Sequence, residues 1–208
     1  MRSRPGALVL AIGLAASTAA AQQPELIERT LAIVGGQVIT LSDARAAVTL
    51  GLVDVGASVD PEQTATSRLV DRELILREVR RYSPPAPSEA TIDARLRDVQ
   101  ARLADPAALA HALEVTGLTE ARLRAWVRDD LRAQAYLDQR FAAASTPTDA
   151  EISRAYAQQK DAFDRNGTAF EQAAPLLREQ LVASRRADLI ADWVADLRRR
   201  TDVILLAR

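Results

Sequence analysis

The chain has 208 residues, one His, no Cys, and 27 basic against 28 acidic side chains for a formal net charge of −1. The absence of Cys excludes disulfide frameworks, thiolate metal sites and thiol nucleophiles, and a lone His111 excludes a multi-His metal centre. Only eight Gly are present, with no G-x-G-x-x-G or Walker-type run, so no phosphate-cradling loop and no cofactor is expected.

Residues 1–21 read as a secretory signal. Arg2 and Arg4 supply the positive start, Ala7 to Ala16 form a short apolar run, and Ala19-Ala20-Ala21 fit a small-residue cleavage site before Gln22. The run is well short of the roughly 20 residues that a membrane span needs. No later segment is apolar enough to span, so the expected mature protein begins near residue 22, is soluble, and resides in a bacterial periplasm. Arg80-Arg81, Arg185-Arg186 and Arg198-Arg199-Arg200 are short runs separated by acids. No broad basic face emerges, and no nucleic-acid partner is expected.

The first structural element is a hairpin. Thr30 to Val34 and Gln37 to Thr40 flank Gly35-Gly36, and a two-residue Gly-Gly link between β-formers suits a turn needing positive φ. A hairpin alone is marginal in water. The only other β-rich run, Asp202 to Leu206, is predicted to join it as a third strand.

Everything between is predicted helical. A short helix starts at Ser42-Asp43 and reaches about Leu50. Asp60-Pro61 opens the next, with the N-cap and first-turn Pro of a helix start, running to about Tyr82. Leu69, Val70, Leu74, Ile75, Leu76 and Val79 make it apolar on more than one face, which marks a central core helix. After Pro84-Pro85-Ala86-Pro87, Ser88 caps a helix whose stripe is Ile92, Leu96, Val99 and Leu103. A short helix from Asp105-Pro106 ends near Gly117. Thr119 caps the next, which carries Leu123, Trp126, Val127, Leu131, Leu137 and Phe141, with residues 142–147 as linker. Thr148 and Glu151 form a capping box before a helix presenting Ile152, Tyr156 and Phe163. Asp164 to Thr168 break it. The last helix spans about 169–200, where Pro175 should kink it or mark its true start. Leu177 and Leu181 lie on one stripe and Ala187, Ile190, Val194 and Leu197 on another, so this long helix should bridge two parts of the fold.

The order of these motifs resembles that of the SurA family of periplasmic chaperones. Leu31 to Asp43 is similar to that family's opening hairpin and first helix cap, and Leu69 to Leu76 to its core helix. Gly117 to Glu120, the Trp126 helix and Thr146 to Ile152 resemble the rest of the N-terminal chaperone module, and Phe170 to Leu206 the helix and strand that complete it. The resemblance implies a mainly α fold: a multi-helix chaperone module over residues 22–208, with an N-terminal part (22–163), a C-terminal part (169–206) and a small N-terminal hairpin joined by the C-terminal strand. In that family, prolyl isomerase domains of the parvulin type lie between the equivalents of Phe163 and Phe170. Here that interval is Asp164 to Ala169, far below the roughly 50 residues of an independent domain. The resemblance therefore implies a chaperone module without its isomerase, and no enzyme.

A holdase needs exposed apolar surface and no chemistry. The implied clients are unfolded outer-membrane or periplasmic polypeptides. The candidate client-binding residues are Trp126, Tyr136, Tyr156, Phe163, Ile190 and Val194, with the strand edge beside Val203 to Leu205 as a further docking point. His111 reads as a surface or capping histidine. Asp129-Asp130 point about 100° apart on a helix and read as solvated carboxylates with Arg neighbours. A homo-oligomer is compatible with the sequence. A prolyl isomerase, for which no acid–base pocket is visible, and a non-catalytic adaptor docking a separate isomerase or envelope-assembly partner are the other two classes.

Overall fold

The computed structural model describes residues 28–103 and 105–206, so the signal reading of residues 1–21 and its cleavage point lie outside the described residues. Two strands open the described chain, β1 (Thr30–Val34) and β2 (Gln37–Thr40). Eight helices follow: α1 (Leu41–Thr49), α2 (Pro61–Tyr82), α3 (Glu89–Ala101), α4 (Pro106–Thr116), α5 (Glu120–Ser145), α6 (Asp149–Gln158), α7 (Lys160–Arg165) and α8 (Phe170–Arg200). A third strand, β3 (Val203–Leu205), ends it.

The hairpin turns on Gly35 (φ 51°) and Gly36 (φ 90°), the paired positive angles that a two-residue turn matched to strand twist requires. Val34 pairs with Gln37 and Ile33 with Val38. Arg77 Nη1 donates to the Gly35 carbonyl at 2.9 Å, pinning the turn to α2. β3 runs antiparallel to β1 with Ile33 opposite Ile204. The Gly35 N–H reaches the Asp202 carbonyl at 2.8 Å and the Leu206 N–H reaches the Leu31 carbonyl at 3.0 Å. The strand order is therefore β2-β1-β3, and the expected closure of the chain's two ends into one small antiparallel sheet is what forms.

Helix starts follow their caps. Asp60, Ser88, Asp105, Thr119 and Thr148 each accept a backbone N–H with the side chain at the predicted positions. The first helix begins earlier than Ser42: Thr40 is the cap, its hydroxyl accepting from Asp43 N–H at 3.2 Å while Asp43 Oδ2 accepts from Thr40 N–H at 3.0 Å. Two other boundaries differ from expectation. The stretch 142–145 is not linker but the last turn of α5, because Ala142 to Ala144 are strong helix formers and the Ser145 hydroxyl donates back to the Phe141 carbonyl at 2.8 Å. The helix expected to run from Thr148 through Phe163 is broken at Gln159 (φ −110°, ψ 13°) into α6 and α7. In an unbroken helix Tyr156 and Phe163 would stand ~10 Å apart along the axis; the break folds their rings into a stack with centroids 5.1 Å apart. Pro175 lies inside α8, which starts at Phe170, so it does not mark the start.

Three apolar clusters result. The largest joins the sheet (Leu31, Val34, Ile39) to α2 (Leu69, Val70, Leu74), the end of α5 (Tyr136, Leu137, Phe141) and the C-terminal half of α8 (Trp193, Val194, Leu197). A second packs α1, α3, α4 and the start of α5 around Ile92, Leu113, Leu123 and Val127. The third sets Ile152 of α6 against Ala173 and Leu177 of α8. The 31-residue α8, ~46 Å long, serves the first cluster with one half and the third with the other, as its two stripes implied.

Charge pairs lock the first and middle turns of α8 to its neighbours: Arg178 to Asp149 at 2.9 Å, Arg185 to Glu151 and Arg186 to Asp138. Glu151 carries both its capping box and the Arg185 pair. The Thr148 backbone N–H, the Arg185 guanidinium and the Thr148 hydroxyl together pull its carboxyl from 4.5 down to about 2. A depressed carboxylate contributes stability that is whole above its unfolded value and fades as pH falls through the folded one. The stabilising share of Glu151 is accordingly expected to vanish between about pH 4.5 and 2. Glu151→Gln, which keeps an amide able to cap, should melt below wild type at pH 6, and the two melting curves should converge toward pH 2.

Candidate functional site

α2 is flanked by α5 on one side and α8 on the other, and a valley opens along its outer stripe. Arg68, Asp71, Arg72 and Ile75, at i, i+3, i+4 and i+7, share one face of the helix. Toward α8 the valley is a hollow of about 580 Å³ lined by Ile75, Ala187, Ile190, Ala191, Val194 and Ala195. Toward α5 it is a second hollow of about 580 Å³, floored by Leu52, Val53, Ile75, Leu131, Ala133 and Leu137. Arg68, Asp71 and Ile75 line both, so the two hollows form one groove. Its floor is aliphatic, without an aromatic ring among its lining residues, and its rim is charged.

The walls are fastened to α2 by paired charges. Arg198 of α8 donates through Nε to Asp71 Oδ1 at 2.6 Å and through Nη2 to the Ser67 carbonyl at 3.0 Å. Arg72 donates through Nε to Asp130 Oδ1 of α5 at 2.7 Å and through Nη2 to the Trp126 carbonyl at 3.2 Å. Trp126 Nε1 donates to the other Asp130 oxygen at 2.9 Å, and the Arg72 guanidinium lies 4.0 Å from the Trp126 ring centre. Asp130 is therefore not the freely solvated carboxylate that its sequence neighbourhood implied. Burial pushes its carboxyl above the usual value, opposed by the Arg72 charge and by hydrogen bonds from Arg72 and Trp126. With both oxygens engaged, Asp130 holds Arg72 and Trp126 in place rather than offering itself to chemistry. These pairs tie both walls to one helix.

The six sequence-derived candidates fall in three places. Ile190, half-buried, and Val194, a core residue, line the α8 side of the groove. Trp126 lies behind the α5 wall and faces a separate, more polar hollow of about 350 Å³ with Val38 of β2, Arg122 and Asp43. Tyr136 is 7% exposed, set between Tyr82 (centroids 5.6 Å) and Trp193 (6.0 Å) in the main core. Tyr156 and Phe163 stack on each other at the far end of α8, with Phe170 edge-on to Tyr156 at 5.3 Å. The aromatic residues thus do not converge on one surface. Among the groove residues that sequence reasoning missed are Arg68, Asp71, Arg72, Ile75 and Leu131. The available signal was Ile75, an apolar residue off the main stripe of α2, with charges one turn away on the same face.

β3 is an outer strand of the sheet, and Ile204, Leu205 and Leu206 are 43%, 63% and 42% exposed. His111 is exposed on α4. Among the described residues no cluster of three or more His, Asp or Glu is arranged to hold a metal. No helix among them is long and apolar enough to cross a membrane. Four residues, 166–169, connect α7 to α8, and no domain intervenes there.

No protein-family model matches the sequence, and no curated protein matches it. The fold does match a solved structure from Campylobacter jejuni, from a study of the virulence factor PEB4 and the periplasmic protein Cj1289 as two structurally related SurA-like chaperones. The superposition has a TM-score of 0.51 at 11% identity and covers 86% of this chain and 100% of the other. The mainly α architecture with its small closing sheet is thus the fold of a SurA-like chaperone.

Proposed function

We propose that the protein is an ATP-independent holdase of the periplasm that keeps unfolded exported polypeptides, outer-membrane proteins among them, from aggregating. The observation that carries this reading is the aliphatic groove across α2 between α5 and α8, in a fold shared with a SurA-like chaperone. The signal-like residues 1–21 are the reason for assigning export. On this reading residues 22–208 form one chaperone module, whose C-terminal part (169–206) completes its N-terminal part (22–163), and catalysis has no role.

The energetics suit such a task. Covering apolar surface yields about 2.5 kcal/mol per 100 Å², against an association cost of about 4–15 kcal/mol. A single groove therefore holds a client weakly, and release follows when a stronger acceptor takes it, without a nucleotide. The outer edge of β3, with the exposed Ile204 and Leu205, offers a second contact where an extended client adds a strand.

The test is aggregation of a denatured outer-membrane barrel protein diluted into buffer with the purified protein. Near-stoichiometric amounts are expected to slow light scattering several-fold. Unchanged scattering overturns the holdase reading, and acceleration of cis–trans exchange in a proline peptide moves the assignment to an isomerase.

A further inference from the structure

The charges around the groove are not balanced. Four Arg and two Asp rim it: Arg68, Arg72, Arg95 and Arg198 against Asp71 and Asp130. Both carboxylates are already engaged, Asp71 by Arg198 at 2.6 Å and Asp130 by Arg72 at 2.7 Å. Arg95 has only a 4.0 Å approach to Asp98, an exposed neighbour on its own helix outside the groove. Arg68 makes no ion pair among the described residues, is exposed, and lines both hollows. The chain as a whole has a net charge of −1, so an uncompensated positive rim beside an apolar floor is a local feature rather than a general one.

We propose that the groove selects apolar segments that carry an acidic side chain, with the client's carboxylate meeting Arg68 where the two hollows join and its aliphatic flanks covering Ile75, Ile190 and Leu131. This deepens the holdase reading above and rests on it. An aliphatic floor alone takes any greasy segment. A free guanidinium on its rim, in a site partly shielded from water, discriminates against a cation at the same position and favours an anion. Arg, unlike Lys, also donates two parallel hydrogen bonds to a carboxylate.

The experiment uses two fluorescein-labelled peptides of equal length, alternating Leu and Ser, with either one Glu or one Lys at the centre. Fluorescence anisotropy at low salt is expected to show the Glu peptide binding about fivefold more tightly, the scale of one partly exposed ion pair. The preference should shrink in 0.5 M NaCl and reverse in Arg68→Glu. The Arg68 side chain makes no hydrogen bond or ion pair to the rest of the described chain, so that variant should melt within a few degrees of wild type. Equal binding of the two peptides, or an unchanged preference in Arg68→Glu, overturns the charge selection and leaves the holdase reading standing. Binding of neither peptide overturns both.

Discussion

Leu74→Ala is expected to destabilise the protein by about 2–5 kcal/mol, the range for deleting a buried leucine side chain and leaving a cavity. Leu74 is 1% exposed, in the cluster that joins the sheet, α2, α5 and α8. Two contributions add there. The lost burial alone is about 2–3 kcal/mol, and the remainder depends on how far the walls collapse into the space. Collapse is resisted here because each wall is tied elsewhere: α8 to α2 through Arg198 and Asp71, α5 to α2 through Asp130 and Arg72, and the hairpin to α2 through Arg77 and the Gly35 carbonyl. The expected cost therefore sits in the upper half of the range. At about 2–4 °C per kcal/mol for a chain of this size, the melting temperature should fall by roughly 7–20 °C. Leu205→Ala, at a residue 63% exposed on β3, should stay within about 0.5 kcal/mol of wild type. Calorimetry or thermal circular dichroism on both variants separates the core role of α2 from the lighter role of β3. A loss below 1 kcal/mol for Leu74→Ala would place the core elsewhere.

The same contrast shows how much of the molecule its sequence announces. Local chemistry was legible: Gly35-Gly36 between β-formers gave the hairpin, Asp60-Pro61 and Thr148 gave helix starts, and Asp202 to Leu206 gave the closing strand. These features act within a few residues of themselves, or rest on the scarcity of other β-rich segments. What failed depended on distant partners. Residues 142–145 are the exception, since the helix propensity of Ala142 to Ala144 that carries α5 through them is local and the linker reading passed over it. The break at Gln159 accompanies the stacking of Tyr156 on Phe163 and the edge-on contact of Phe170, which helical periodicity does not encode. Asp130 looked solvated because its partners, Arg72 and Trp126, include a residue 58 positions away. The candidate site divided in the same manner. Helical spacing identifies apolar stripes but not which stripe a neighbour covers, so Tyr136 and Ile190 looked alike although Tyr136 is closed off beneath Tyr82 and Trp193 and Ile190 faces the groove.

That difference between covered and open positions determines where function can be tested without unfolding the protein. Val194 is 8% exposed in the main core, and a polar residue there would damage the fold and the groove together. Ile75 and Ile190 are half-buried and line the groove from α2 and α8. Replacing both by Asn changes the chemistry of the floor with no new charge, so any effect is independent of Arg68. Each substitution removes one aliphatic contact with a client, worth about 1.5–3 kcal/mol when the client fully covers it; partial cover halves that. The double variant is therefore expected to bind a Leu/Ser peptide about 10- to 100-fold more weakly and to lose most of its suppression of barrel-protein aggregation. Its melting temperature should fall by about 3–12 °C, because both side chains are half-buried against the main core. The sign of the outcome depends on what the groove is for. If it is the client site, binding collapses while the fold survives. If holding depends instead on the outer edge of β3, the Asn variant keeps its activity and Leu205→Pro, which removes an outward-facing N–H while leaving the ladder to β1 intact, loses it.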